Sequence, residues 1–137
     1  AYSVGSGYGY LADAGVFTIS AGVNRDKLRE TIQVCLEEAE NLAADHVPAD
    51  ELRKAKDHNI GRFRLSLETA FSLGQRHGEQ LITRGEIEPI DDVVRQIEAV
   101  DADAVRAVAQ RILKRERLHC AVVGPGLDEG EIASALG

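Results

Sequence analysis

The sequence predicts an α+β domain in which helices pack on one face of a mostly antiparallel sheet. Three observations indicate this class: two strand-like segments open the chain, four or five amphipathic helices follow, and a short apolar segment near the end returns to a strand pattern. The chain has 137 residues, of which 44% are hydrophobic, enough for one hydrophobic core. We therefore expect one domain with the order strand, strand, helices, strand.

Two strands are predicted at the beginning of the chain. Residues 2–10 alternate tyrosine with small or apolar residues, and residues 15–21 alternate β-branched and aromatic residues with small ones. Residues 12–15 supply a turn, so the two strands are expected to form an antiparallel hairpin. Asp13 is the only charged residue among the first 24, which indicates that at least one face of the hairpin is covered.

The first helix is predicted to begin after Asn24, which is a typical capping residue, and to end near His46. Its apolar residues recur at spacings of three and four, as in an amphipathic helix. They are Leu28, Ile32, Cys35, Leu36, Ala39 and Leu42.

A longer helical segment is predicted to begin at Pro48 and to end at Gly85. Such a segment is long for one helix, and glycines at positions 74 and 78 favour a kink or a break. We therefore expect two helices that meet near residues 72–74.

The last elements are two shorter helices, a strand and a terminal segment. Pro89 opens one helix and Asp101 caps the next. Residues 118–123 form a short apolar run that predicts a strand, and residues 126–137 form either a polar tail or a terminal helix. We place the domain at residues 1–125 and treat residues 126–137 as the tail.

Charge and composition exclude several classes of function. The net charge is −7, and no basic stripe of the kind that binds nucleic-acid phosphates is visible. No apolar run approaches the roughly 20 residues that a membrane span requires. Cys35 and Cys120 lie in apolar contexts and are expected to be free, buried thiols, which fits a reducing compartment and favours the cytoplasm.

The sequence predicts no catalytic or metal-binding residue within this chain. Its four histidines, at positions 46, 58, 77 and 119, are at least twelve residues apart, and neither HExxH nor HxxEH occurs. The glycines of residues 5–9 lead into a strand rather than a helix, so they do not make a dinucleotide loop. Tyr8 and Tyr10 are expected to pack as ordinary strand aromatics.

Several segments in order resemble the insulinase/pitrilysin family of zinc metallopeptidases. They are residues 1–4, 17–22 and 50–56 near the beginning, and residues 97–105 and 117–125 near the end. The resemblance covers nearly all of residues 1–125. It implies that the chain is a fragment from the second half, the one without zinc, of a peptidase built from two related halves.

The resemblance also implies where the chemistry lies. In this family the first half holds zinc on an inverted HxxEH helix, where the metal polarises the scissile carbonyl and the glutamate activates water. The parent protein is therefore expected to be a zinc metalloendopeptidase, a hydrolase whose zinc belongs to its N-terminal half. The fragment alone is expected to bind no metal and to cleave no peptide, and instead to form the wall of the chamber.

Tyr2 is similar to a family tyrosine that reaches across to the peptide substrate. In the family an arginine precedes this tyrosine in the same segment, and here that arginine would fall before residue 1. A tyrosine hydroxyl can donate a hydrogen bond to a peptide carbonyl or to a developing oxyanion. The resemblance therefore implies that Tyr2 contacts substrate in the parent protein.

The expected partners are the zinc-binding half of the same protein and a peptide substrate. The chain opens inside a strand pattern without an initiator methionine, so we expect an exposed sheet edge through which the isolated piece dimerises. Two alternatives stay open. One is a structural or processing-partner subunit of the same fold without catalysis, and the other is a standalone dimeric binding module unrelated to proteolysis.

Overall fold

The computed structural model describes residues 1–11 and 13–137, which divide into two compact units. One unit comprises Ala1–Asp45 and Arg106–Gly137, and the other comprises His46–Val105. The predicted α+β class is confirmed, because the described residues form one antiparallel β-hairpin and six α-helices.

The hairpin consists of β1 (Ser3–Tyr10) and β2 (Gly15–Gly22). Its register places Ser3 opposite Gly22 and Tyr10 opposite Gly15. Residue 12 of the predicted turn lies outside the described residues. Both strands are exposed along almost their whole length. The described residues therefore do not bury either face of the hairpin, although we expected one face to be covered.

The first helix, α1 (Leu28–Ala44), follows a 3-10 turn at Arg25–Lys27. The predicted start after Asn24 is confirmed, but the predicted cap is not, because the Asn24 side chain makes no capping hydrogen bond. Instead, the Lys27 N–H donates to the Asn24 carbonyl oxygen at 3.0 Å. The turn therefore begins through the backbone and leaves the Asn24 side chain available.

The end of the chain forms α6 (Glu129–Leu136), which packs against α1. Of the two predicted forms of this segment, the structure has the helix. The Asp128 carboxylate caps it by accepting from the Glu131 N–H at 2.8 Å. Arg25 ties this region to the start of α1, because its Nε donates to the Gly126 carbonyl at 2.6 Å and its Nη2 lies 3.2 Å from Glu131.

The predicted strand at residues 118–123 is wrong for this structure. The segment has no assigned secondary structure, although Leu118 itself has extended dihedral angles. A strand exists only where a second strand completes its hydrogen bonds, and the described sheet contains β1 and β2 alone. The apolar pattern of these residues therefore stays exposed, and Val123 is 100% accessible.

The second unit contains α2 (Ala49–Ser66), α3 (Ala70–Arg84), α4 (Ile90–Ala99) and the start of α5 (Ala102–Ile112). Pro48 and Pro89 precede α2 and α4 as predicted. Asp101 also caps α5 as predicted, because its carboxylate accepts from the Ala104 N–H at 2.8 Å.

The break between α2 and α3 lies at residues 67–69, which is a few residues earlier than predicted. Thr69 explains the position, because its hydroxyl accepts from the Ser72 N–H at 3.0 Å and caps α3. Gly74 stays inside α3. The predicted end at Gly85 is confirmed, since this residue adopts the left-handed conformation with a φ of 78°.

Few side chains are fully buried in either unit. Val94 is buried in the second unit, and Ala109 and Ala135 are buried in the first. Both cysteines are free as predicted, but they are not buried, because Cys35 is half-buried and Cys120 is exposed. Within the described ranges, no helix is both long and apolar enough to cross a membrane.

Candidate substrate-contact site at the hairpin

Tyr2 lies immediately before β1 and is held at both its ends. Its N–H donates to the Gly22 carbonyl at 2.6 Å, and its hydroxyl donates to Oδ1 of Asn24 at 2.6 Å. The residue is nevertheless 78% exposed. The described structure therefore fixes the phenol in one position while leaving most of the ring accessible.

An apolar groove lies between one face of the hairpin and α1, both in the first unit. Its volume is about 630 Å³. Opposite residues in an antiparallel pair share a face, and this face presents Val4, Phe17 and Ile19. From α1, Val34 and Leu42 line the other side. The groove is thus an open space between the hairpin and α1. In a fully packed domain, side chains would fill the space between a sheet and a helix.

Lys27 and Glu30 line this groove and form an exposed ion pair. The Lys27 Nζ lies 2.8 Å from the Glu30 carboxylate. The hydrogen bond from Lys27, reinforced by its charge, lowers the pKa of Glu30. The hydrogen bond to Glu30 and its charge raise the pKa of Lys27 in turn. Both side chains are therefore charged at neutral pH, and they place one charge of each sign at the groove.

Tyr8 and Tyr10 lie on the same face of the hairpin, since every second residue of a strand shares a face. Their rings stack on each other with centroids 6.3 Å apart and an angle of 18° between the ring planes. They are 81% and 67% exposed, so the predicted packing of strand aromatics takes the form of a surface pair rather than a core contact.

The histidines do not converge on a metal site. His46 pairs with Asp103, its Nε2 lying 2.8 Å from the Asp103 carboxylate. Among residues 1–11 and 13–137, no group of three or more His, Cys, Asp or Glu side chains could hold a metal ion. The residues present therefore do not fit a zinc site, and no chemical step is assigned to a metal in this chain.

Two polar arrangements were missed from the sequence. The first is the bond between Tyr2 and Asn24, which joins residues 22 positions apart. The second is in the second unit, where the Arg76 guanidinium lies 4.9 Å from the centroid of the Phe63 ring. Nε and Nη2 of Arg76 and Oε1 of Gln80 are buried there without a hydrogen-bond partner in the described part of the chain.

Neither arrangement has a clear signal in the sequence. Asn24 stands where a capping residue is common, which hides a tertiary role, and Arg76 lies among polar residues of an amphipathic helix. The backbone bond from the Lys27 N–H to the Asn24 carbonyl, which makes a side-chain cap unnecessary, is visible only in the structure.

Comparison with known proteins gives matches over most of the chain. Residues 1–59 match the family model described as the peptidase M16 inactive domain. The chain is 33% identical over 129 residues to an uncharacterized zinc protease of Streptomyces coelicolor, covering 94% of this chain and 28% of that protein. It is 27% identical over 116 residues to an uncharacterized zinc protease of Bacillus subtilis, covering 85% of this chain and 28% of the relative.

A third relative, an uncharacterized zinc protease of Mycobacterium bovis, is 33% identical over 125 residues, which cover 91% of this chain and 28% of that protein. The class of domain that residues 1–59 resemble is thus the inactive domain of peptidase M16. The predicted resemblance is confirmed to this extent: residues 1–59 match the peptidase M16 inactive domain, and the chain is homologous to proteins described as zinc proteases. The chain spans 28% of the length of these curated relatives.

Proposed function

We propose that this chain is part of the non-zinc half of a zinc-dependent endopeptidase and forms a wall of its peptide-binding chamber. The match of residues 1–59 to the M16 inactive domain carries this proposal. The relatives' description as zinc proteases, and the share of their length that the chain spans, support it. In this account the zinc ion and the residues that activate water belong to the N-terminal half, so the chain alone does not cleave peptides.

We propose that Tyr2 is the residue of this chain that contacts the peptide. Its exposed ring and its fixed hydroxyl support this role, because a side chain already held in place loses little freedom when a ligand binds. A peptide in such a chamber is extended and offers backbone N–H and C=O groups along its length.

The domain boundary proposed from the sequence lies at residue 125, with residues 126–137 as a terminal extension. The packing of α6 on α1 fits an extension that packs against this helix. The two free cysteines fit a cytoplasmic location for the parent protein.

We propose that the hairpin associates with other chain segments through its strand edges. In the described sheet each of the two strands pairs on one side only, so each has one edge free. In the parent protein the partner is the remainder of the same polypeptide. The isolated chain is expected to dimerise through this edge, and a sedimentation coefficient that does not change across a wide range of concentration would contradict this.

The decisive experiment uses the longer natural protein that contains this sequence. Its zinc content and its cleavage of a fluorogenic unstructured peptide are measured for the native protein, for Tyr2→Phe and for Tyr8→Phe. Tyr8 is the matched control, because it lies on the same hairpin face and is equally exposed. We expect one zinc ion per chain in all three proteins, and about a tenfold or larger loss of kcat/KM in Tyr2→Phe alone.

Two results would contradict the proposal in different ways. Absence of zinc and of peptide cleavage in the longer protein would favour a structural or processing-partner subunit. Normal cleavage by Tyr2→Phe would leave the peptidase assignment intact but remove the role of Tyr2.

A further inference from the structure

In the second unit, the helix α3 has its apolar side toward solvent and its polar side toward the interior. Phe71 and Ile82 are 80% and 87% exposed. In contrast, Gln80 is buried, and Nε and Nη2 of Arg76 are buried without a hydrogen-bond partner among residues 1–11 and 13–137. An amphipathic helix on a protein surface normally has the reverse arrangement, with its apolar residues toward the core. The exposure of the apolar side of α3 therefore needs an explanation.

The spacing along α3 places these two sets of residues on opposite sides of the helix. The exposed set recurs at steps of three and four, so its members lie along one face. They are Phe71, Gly74, Gly78 and Ile82, which we call the outer face of α3. Residues two positions apart are separated by about 200° around a helix, so Arg76 and Gln80 lie nearly opposite this face. The outer face extends for about 16 Å, or three helical turns.

The middle of the outer face is a shallow depression. A Cβ added at Gly74 or Gly78 would meet no other atom within 4 Å, so no described side chain covers these two positions. The larger side chains of Phe71 and Ile82 mark its two ends. The distance between two packed helices depends on the side chains at their contact, and two glycines four residues apart allow a close approach. The shape of the outer face therefore fits an α-helix packed across it.

The partner for this face is to be sought in the same polypeptide. This chain spans 28% of the length of its curated relatives. A segment of the same polypeptide reaches the face at a high effective concentration, whereas a second molecule must meet it by diffusion. Contiguous exposed apolar surface is typical of a face that another protein segment covers.

We propose that the outer face of α3 is an interface that an amphipathic helix from the remaining part of the parent polypeptide covers with its apolar side. Gly74 and Gly78 admit the backbone of this helix, and Phe71 and Ile82 pack against its side chains. The second unit is then a docking surface for another part of the parent protein. The inference depends on a longer parent and not on its peptidase activity, so zinc content and peptide cleavage do not enter its test.

The test begins with hydroxyl-radical footprinting of the longer natural protein. The oxidation rates of the Phe71 and Ile82 side chains are each divided by the rate in the urea-unfolded protein. His58, at an exposed position of α2 in the same unit, is the internal control. We expect Phe71 and Ile82 to react at no more than about a tenth of their unfolded rates, because a packed interface excludes water. His58 should retain at least about half of its unfolded rate.

Two variants of the longer protein measure whether the contact stabilises it. Ile82→Asp introduces a charge on the outer face. Thr83→Asp is the matched control, because it introduces the same charge at the next residue, which is exposed and lies outside this face. We expect the apparent melting temperature to fall by at least about 5 °C in Ile82→Asp, since an unpaired charge is costly to bury. Thr83→Asp should change it by less than about 1 °C.

Photo-crosslinking identifies the partner of the outer face. Gln75 is exposed and lies one turn after Phe71, so the photo-reactive variant Gln75→benzoylphenylalanine places the probe at the rim of the face. We expect crosslinks within one polypeptide, to a helical segment that lies outside the 137 residues of this chain.

Three results would overturn the inference. Oxidation of Phe71 and Ile82 as fast as that of His58, relative to the unfolded protein, would mean that the outer face is bare in the longer protein. Equal melting temperatures of Ile82→Asp and Thr83→Asp would mean that the face makes no stabilising contact. Crosslinks between two polypeptides, with protection that disappears on dilution, would assign the face to a second copy of the protein.

Discussion

Two segments of this chain have strand-like sequences, but only one of them forms strands. Residues 3–10 and 15–22 form a hairpin whose two strands lie close together in the sequence and pair with each other. Residues 118–123 are also largely apolar, yet they have no strand partner in the described structure, and all of them except the half-buried Val122 are exposed. The difference shows that an apolar pattern specifies a strand only when a second strand is within reach.

The helices, in contrast to strands, need no distant partner for their backbone hydrogen bonds. Each of their hydrogen bonds closes within a few residues, and their ends are set by neighbours such as Thr69, Asp101 and Gly85. The described helices therefore form their backbone hydrogen bonds without a distant partner. The outer edges of the hairpin and residues 118–123 would need a distant strand, and among the described residues they have none.

The largest expected effect comes from a proline in the hairpin. The Leu11 N–H donates to the Ala14 carbonyl at 2.7 Å, so every second pair from there is hydrogen-bonded, and this includes Gly7 with Thr18. Thr18→Pro removes a ladder hydrogen bond from the strand interior and should destabilise the hairpin by about 3 kcal/mol. Cross-strand NOEs between β1 and β2 should disappear.

The matched control for this change is Ala121→Pro, in the segment that forms no strand. Since no ladder includes residue 121 in the described structure, this variant should retain the NMR spectrum and stability of the native chain. If the two prolines are equally damaging, then residues 118–123 are paired in solution and the contrast between the two segments is wrong.

A second comparison concerns two valines that differ in burial. Val94 on α4 is 6% exposed, and Val123 is 100% exposed. Val94→Ala removes two buried methyl groups and leaves a cavity, so it should lower the free energy of unfolding by about 2 kcal/mol. Val123→Ala should change it by less than about 0.5 kcal/mol. Urea denaturation of both variants measures the difference, and equal effects would show that Val123 is packed.

A smaller effect of opposite sign is expected at Arg76. Two of its guanidinium nitrogens are buried without an acceptor among the described residues, although its flat face contacts Phe63. Arg76→Met keeps the apolar stem and removes the unpaired donors, so it should raise the free energy of unfolding by about 1 kcal/mol. Arg62→Met, at an exposed position of α2, is the control. A loss of stability in Arg76→Met would mean that the guanidinium is paired in solution.

The smallest effect is expected from replacing glycines of α3 and its C-terminal cap. Gly74 lies inside α3, and a Cβ there would meet no atom within 4 Å. Gly74→Ala should therefore stabilise the chain by about 0.5–1 kcal/mol through the lower entropy of the unfolded state. Gly85→Ala should do the reverse, because its φ of 78° is unfavourable for a residue with a Cβ. Thermal unfolding followed by circular dichroism compares the two, and a stabilised Gly85→Ala would contradict this assignment.

The same contrast explains how much of the molecule the sequence could predict. The hairpin and most helix ends follow from turn, capping and proline signals that act over a few residues. The break before α3 lies earlier than predicted, because Thr69 caps this helix and the glycines inside it do not interrupt it. The hydrogen bond between Tyr2 and Asn24 could not be predicted, because the two residues lie 22 positions apart and the position of Asn24 favours an ordinary cap.

For the site, the sequence predicted Tyr2 by family resemblance alone, and the groove between the hairpin and α1 was not predicted. The groove depends on the distance between one face of the hairpin and α1, and a local sequence pattern does not determine this distance. Its apolar lining and the free edges beside it fit the proposal that another part of the parent protein completes this layer.

The proposed function makes this chain one part of a larger peptidase half whose sheet is completed by the remaining polypeptide. Hydrogen exchange at the backbone amides of residues 118–123, compared between this chain and the longer natural protein, tests it most directly. We expect rapid exchange in the isolated chain and protection of at least about a hundredfold in the longer protein, while α2 and α4 exchange alike in both. Equally rapid exchange of residues 118–123 in the longer protein would contradict the claim.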